Sequence, residues 1–494
     1  MKKAILCAAA LMFGTMAFAQ VSIAPTAGTA AALPGAGAGA NTGLSIQNGD
    51  NNKVRVRQAG TEQSVLTFQD NGSGLGGNLA KVRQTGSVQA ASGFQNAAEV
   101  NQSGTANQSS TRQEGDLNNA ITNQGQNDDS SSGNKASIRQ GVADQAESNF
   151  AATEQDGNNN QSSTVQTYDN SDAYTTQSGD SNKNMINQNA GPNGTDGHEA
   201  YAAQLGNRNE SAIDQSGNGG RNNAQVRQFG DDNQSKQWQN TNAGSGTVGN
   251  SGYVQQGSAS GLPVNVPSNT AYTLIFTDIQ DNITPLDPGA TVINGPSFGA
   301  RAKQVQYGKM NEAAAWQTGG SSDGTNYAEQ VQASGWNNDA AIIQTQIGTG
   351  DNYAKQYQSG DNNLANGWQF GNGQKSLQDQ RGHRNTALGS QAGSSNLLNQ
   401  HQRGTDNTAH SVQHGLANSA LIVQRDGQSY TSLQNAGLGA FDLSAGGNQV
   451  DVLQLGPNGD FSTDGIDCDF EDPMNLDMDY TVPGFDLGDV CPDC

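Results

Sequence analysis

Gln380-Arg381-Gly382-His383-Arg384-Asn385-Thr386-Ala387-Leu388-Gly389-Ser390-Gln391 is one unit of the form Gln-x-Gly-x-x-Asn-x-Ala-x-x-x-Gln. The frame recurs with Gln402, Gly404, Asn407, Ala409 and Gln413. Earlier it appears with Gln177, Gly179, Asn182 and Gln188, and again with Gln204, Gly206, Asn209 and Gln215. Gln358, Gln369, Gln380, Gln391, Gln402, Gln413 and Gln424 hold an eleven-residue period without a slip. A fixed short period marks a stacked repeat architecture. The N-terminal half keeps a six-residue step from Asn to Gln at Asn52–Gln58, Asn78–Gln84, Asn118–Gln124, Asn134–Gln140 and Asn222–Gln228, while the spacers between these segments vary.

The constant segment is the rigid one. Side chains in a strand alternate between faces, which places Asn52, Val54, Val56 and Gln58 on one side and Lys53, Arg55 and Arg57 on the other. Asn78, Ala80, Val82 and Gln84 against Lys81 and Arg83 repeat the pattern, and Asn418, Ala420, Ile422 and Gln424 follow it with an outer face made apolar by Leu421 and Val423. The period is two, that of a strand rather than a helix. Glycine in the x-Gly-x-x stretch supplies the turn; Gly360, Gly371, Gly382, Gly393, Gly404 and Gly415 are the turn glycines.

These features predict an all-β fold: a β-solenoid of 22-residue coils, two short strands per coil joined by Gly-containing turns, stacked in parallel at about 4.8 Å per coil. About thirty units would stack to about 70 Å. Inward amides then lie over their counterparts and form ladders, the candidates being Asn363, Gln369, Gln380, Asn385, Gln391, Asn396, Gln402, Asn407, Gln413, Asn418 and Gln424. Composition alone, with 64 glycines and a mean hydropathy of −0.69, would suit a disordered chain. The in-phase spacing and the one-sided cations oppose that.

Gln358-Ser359-Gly360-Asp361-Asn362-Asn363-Leu364-Ala365 carries the strand-opening Asn, the closing Gln and the Gly two positions after Gln. In these features the unit resembles the curlin repeat of curli amyloid fibre subunits. The resemblance covers about residues 47–257 and 300–456. It implies an extracellular, fibre-forming, adhesive matrix protein without a catalytic site, secreted unfolded through an outer-membrane pore and assembled on a nucleating subunit. The chain departs from that pattern in its length, its slipping spacers, a central insertion and an acidic Cys-bearing tail. A nucleator, anchor, cap or accessory subunit therefore fits as well as a bulk subunit.

The remaining segments set compartment and organisation. Lys2-Lys3, the apolar run from Ala4 to Phe18 and the Ala17-Phe18-Ala19 site predict a signal peptide over 1–19, with Gln20 starting the exported chain. No later stretch reads as membrane-spanning. Residues 20–46 read as an Ala/Gly/Pro leader. Residues 258–299 lack the repeat and read as a β-hairpin, with strands at Ala271–Thr277 and Ala290–Ile293. The net charge of −22 disfavours nucleic acid as a partner. Residues 457–494 hold eleven acidic residues and no Lys or Arg.

Cys468, Cys491 and Cys494 also lie in this tail, an odd number that leaves one thiol over once a disulfide closes. Cys491-Pro492-Asp493-Cys494 lacks the helix start that redox catalysis needs, and no His lies near it for zinc. Asp467, Asp469, Glu471 and Asp472 lack the frame of a calcium loop. The alternation turns His401 and His410 outward and leaves His383 and His414 in turns. His198 and these four make no catalytic constellation. The reading is of a structural chain without enzyme activity or cofactor.

Overall fold

The computed structural model describes residues 41–456 apart from 72–75, 87–95, 126–129, 142–146, 192–196, 219, 242–246, 258–294, 322–323 and 436–445. Among the described residues there is no helix. The thirty-one strands of the described residues run from Thr42–Asn48 to Gln449–Gln454 and, apart from the short Ser297–Phe298, alternate between two sheets of 16 and 15 strands. Every pairing between these strands is parallel, and, with the two-residue Ser297–Phe298 set aside, each strand pairs with the next but one in the chain. The chain is a two-sided β-solenoid. A parallel ladder needs a crossover between its strands, and here the opposing strand is that crossover.

The seven-residue strands follow from the alternation. In Leu79–Thr85 the inward Ala80, Val82 and Gln84 are buried, whereas Arg83 is exposed. The core between the sheets is one side chain deep on each side. It holds Ala120, Ile138, Ala151, Ile186, Ala202, Ile213, Val226 and Ile342, flanked by buried amides. Small residues in one sheet make room for larger ones in the other: a Cβ built on Gly389 would lie 2.6 Å from Leu398 Cδ2.

Three expectations about extent are corrected. The coil is 22 residues from Gln358 to Gln380, Gln402 and Gln424, but 26 from Gln58 to Gln84 and 31 from Gln124 to Gln155. Strand registry is held by the ladders, so added residues are accommodated at the corners between strands. The first strand, Thr42–Asn48, begins within the stretch expected to be leader, because Leu44, Ile46 and Gln47 continue the pairing onto Leu66, Phe68 and Gln69. At the other end of the insertion, Ser297–Phe298 pairs with Gly230–Asp231 and belongs to the stack. The two strands expected at 271–277 and 290–293 lie outside the described residues, as do residues 1–19 and 457–494 with Cys468, Cys491 and Cys494.

Candidate functional site: the amide ladders and their ends

The closing glutamines form two ladders, one per sheet. In the second sheet Gln358 Nε2 donates to Gln380 Oε1 at 3.0 Å, Gln380 to Gln402 at 2.9 Å and Gln402 to Gln424 at 2.9 Å. In the first sheet Gln369 donates to Gln391 and Gln391 to Gln413, both at 2.9 Å. The eleven-residue series thus splits alternately between the sheets. Neither ladder breaks at the insertion: Gln256 donates to Gln317 at 3.0 Å across 61 residues, and Gln239 to Gln306 at 2.8 Å across 67. The two repeat blocks are one continuous stack.

Each glutamine also staples the corner. Gln166 Nε2 donates to the carbonyls of Phe150 and Ser171, both at 2.8 Å, and to Gln188 Oε1 at 3.0 Å. The opening asparagines do the same on the other side of the turn. Asn385 Nδ2 donates to Asn363 Oδ1 at 3.0 Å and to the Gly404 carbonyl at 3.1 Å, while the Asn407 backbone N–H donates to Asn385 Oδ1 at 3.2 Å. Asn418 lies over Asn396 with the same bonds. A buried amide is expensive unless every donor and acceptor is met, and stacking identical amides meets them without any apolar partner.

The turn glycines stack as well. Gly360, Gly382 and Gly404 form one column and Gly371, Gly393 and Gly415 another, all with positive φ. Sequence reasoning missed a second left-handed position, the residue just before each Asn. Asn362, Arg384, Ser395, Asp406 and Ala417 all have φ between 51° and 58°. Arg384 there forms a bidentate pair with Asp406 of the next coil, both contacts at 2.7 Å. The corner is therefore a two-hinge arc, and only its glycine hinge carries a compositional signal.

A third amide ladder also escaped the sequence reading. Gln237, Gln304, Gln330, Gln356, Gln378 and Gln400 lie inward, two residues before the closing Gln, and join Nε2 to Oε1 at 2.8–3.0 Å. The Gln-x-Gln pairs Gln304/Gln306, Gln330/Gln332, Gln356/Gln358, Gln378/Gln380 and Gln400/Gln402 were the available signal.

Histidines distribute unevenly. His401 faces outward beside Asp379, with Nδ1 3.9 Å from its carboxylate, and His410 is outward and half-buried. His383 ends the strand Lys375–His383. His414, expected in a turn, lies in the strand Thr408–Leu416 and is buried, since pairing there continues past Gln413 to Leu416. His198 takes an Asn position. Its Nε2 is 3.1 Å from the Asn189 carbonyl and its Nδ1 accepts from the Asn222 N–H at 3.3 Å. Burial pushes its pKa down to about 4, so it stays neutral.

Stacked carboxylates shift the other way. Burial, with the in-register Asp339 beside it, pushes Glu312 up to about 7. In the unfolded chain that group titrates near 4.5. Its stabilising share is complete below 4.5 and is lost as pH rises through about 7. For His198 the sign is opposite: its share is complete above 6.5 and is lost as pH falls towards 4. Glu312→Gln is expected to flatten the decline in thermal stability between pH 5 and 8 and to leave the acid-side loss. His198→Asn should flatten the acid side only. Melting curves of the two variants across pH check both; an unchanged pH profile for Glu312→Gln refutes the assignment.

Among the described residues no group of His, Cys, Asp and Glu has metal-ligand spacing, and no helix is long and apolar enough to cross a membrane. No protein-family model matches the chain, and no curated protein matches it in sequence. The class that fold and site define is a repeat protein: a β-solenoid whose interior is ordered by amide ladders.

Proposed function

We propose that this protein is a secreted, curli-like fibre subunit that stacks end to end with further copies and contributes to surface fibre assembly, adhesion and biofilm matrix, without catalysis. One observation carries the reading: both ladders run in one sense, so that their first and last described rungs present complementary groups. At one end Gln47 and Gln58 donate inward to Gln69 at 2.8 Å and Gln84 at 3.0 Å, which turns their Oε1 atoms towards the end of the stack. At the other end Gln434 and Gln454 accept from Gln413 and Gln424, and no further rung follows among the described residues.

The first strand exposes its inward Gly43, Ser45 and Gln47. At the opposite end Gln454 is half-buried and Gln434 buried, and the buried Ser432 hydroxyl has no hydrogen-bond partner among the described residues. A strand edge with unpaired amides recruits another strand. Head-to-tail addition continues both ladders and generates a filament rather than a closed ring. The resemblance to the curlin repeat supports the same reading, as does the signal peptide expected over residues 1–19.

The second reading is a capped adhesin, nucleator or accessory subunit. It is favoured by the acidic residues 457–494, since charge at a sheet edge blunts addition. Thioflavin-T kinetics with electron microscopy of residues 20–494, with and without 457–494, separate the two. Fibres from the whole exported chain are the expected result. Fibres only after removal of 457–494 would make this segment a cap, and none from either would overturn the stacking function.

A further inference from the structure

The outer face of the second sheet is strongly basic at its N-terminal end, although the chain as a whole is acidic. Arg57, Arg83, Arg112 and Arg139 are direct register partners on the strands Lys53–Ala59, Leu79–Thr85, Gln108–Glu114 and Lys135–Gln140. At about 4.8 Å per rung they form a column about 14 Å long. Beside it, Arg55 lies over Lys81, and Lys53 and Lys135 occupy the outward position that opens their strands. Eight of the chain's 24 Lys and Arg side chains thus stand on four strands. Those strands carry one carboxylate, Glu114, which pairs with Arg112. Arg55, Arg57 and Arg83 are exposed.

Like charges directly opposite across a ladder destabilise it. Elsewhere the fold relieves this by alternation, as where Glu329 sits between Lys303 at 3.1 Å and Lys355 at 3.2 Å. Within the arginine column itself no carboxylate alternates, since each register neighbour is another arginine. Its complement within this chain is residues 457–494, with eleven carboxylates and no cation. Asp467, Asp469 and Glu471 recur at every second position of the sequence, as do Asp477 and Asp479.

We infer that residues 457–494 of one copy dock on the arginine column of the next copy in the stack. This rests on the end-to-end reading above. Distances favour a neighbouring copy over the same one. Within one copy the column begins eleven rungs, about 53 Å, from the last strand, beyond the about 40 Å that the dozen residues from Gly456 to Asp467 can span, so that only the acids from Asp472 onward could reach it there, and only nearly fully extended. A relaxed segment of some twenty residues spans only about 25 Å. In a stacked pair the neighbour's Lys53–Ala59 strand lies one rung, about 5 Å, beyond the last strand. Docking there sets carboxylates against a face on which eight cations stand with one carboxylate. Whole nucleic acids, the other polyanion class, are disfavoured by the surrounding net charge of −22.

A carbodiimide, which joins carboxylates directly to lysine amines, applied to a mixture of isotopically heavy and light exported chains tests this. The expected result is heavy–light links from carboxylates of 457–494 to Lys53, Lys81 and Lys135. These links should fall at least fivefold in 0.5 M salt and in the double variant Arg57→Glu/Arg83→Glu. Circular dichroism of that variant should match the parent, since both sites are exposed. Links confined within single copies, or spread equally over Lys183, Lys236 and Lys309, overturn the docking. Fibres that lack these links overturn the docking and leave the stacking function standing; a chain that sediments only as monomer overturns both.

Discussion

Gln391→Glu should destabilise the solenoid by at least about 3 kcal/mol at neutral pH, the cost of leaving a buried charge without a partner. Gln391 is buried and its Nε2 donates to the Lys375 carbonyl at 2.9 Å and to Gln413 Oε1 at 2.9 Å. A carboxylate in that place turns both contacts into acceptor against acceptor. Gln369 still donates to the other oxygen, so the loss is not offset but split. Repeat arrays unfold through nearest-neighbour interfaces, so the break should open the stack on either side of this rung while distant coils persist. Hydrogen exchange should show protection lost around the coil of residues 386–394 and retained around residues 97–103. Lowering the pH to protonate the new acid should recover part of the loss. A variant that melts with the parent would show that the amide ladder contributes little.

Gly382→Ala should be nearly as damaging for a different reason. Gly382 has φ +126°, a conformation that residues with a side chain rarely adopt, and an added Cβ would lie 2.0 Å from the Gly404 carbonyl oxygen of the next coil. Strained backbone costs about 1–3 kcal/mol, and overpacking against a fixed backbone adds about as much. Gly427→Ala is the control: its φ is +76° but nothing lies within 4 Å of the added Cβ. It should cost only about 1 kcal/mol. Chemical denaturation of both variants measures the gap. Equal losses would mean that backbone strain alone, not coil-to-coil contact, demands the glycine.

The contrast between those two glycines marks the limit of sequence reading in this chain. Gly382 and Gly427 look alike in sequence, each following a glutamine within three residues, yet only one is covered by another coil. The closing Gln and opening Asn were legible because a periodic chain stacks them on themselves, so spacing alone places them. The inner Gln356–Gln378–Gln400 ladder was not, because it occurs on every second strand and vanishes in an eleven-residue frame. The left-handed hinge before each Asn carries Asn, Arg, Ser, Asp or Ala without preference for glycine, so composition is silent about it. His198 fills an Asn site through two ring nitrogens, a substitution that only the hydrogen-bond geometry reveals.

By itself the sequence determined the strand period, the inward face, the glycine turns and the parallel stacking of two strands per coil, since each depends on residues near one another or one repeat apart. Tertiary structure alone decided which rungs are neighbours across spacers of unequal length. It also decided that both halves form one stack across 258–294, and that four arginines from separated repeats stand in a single column. Those facts depend on where extra residues leave the stack, and the corners accept insertions of many lengths without disturbing the ladders on either side.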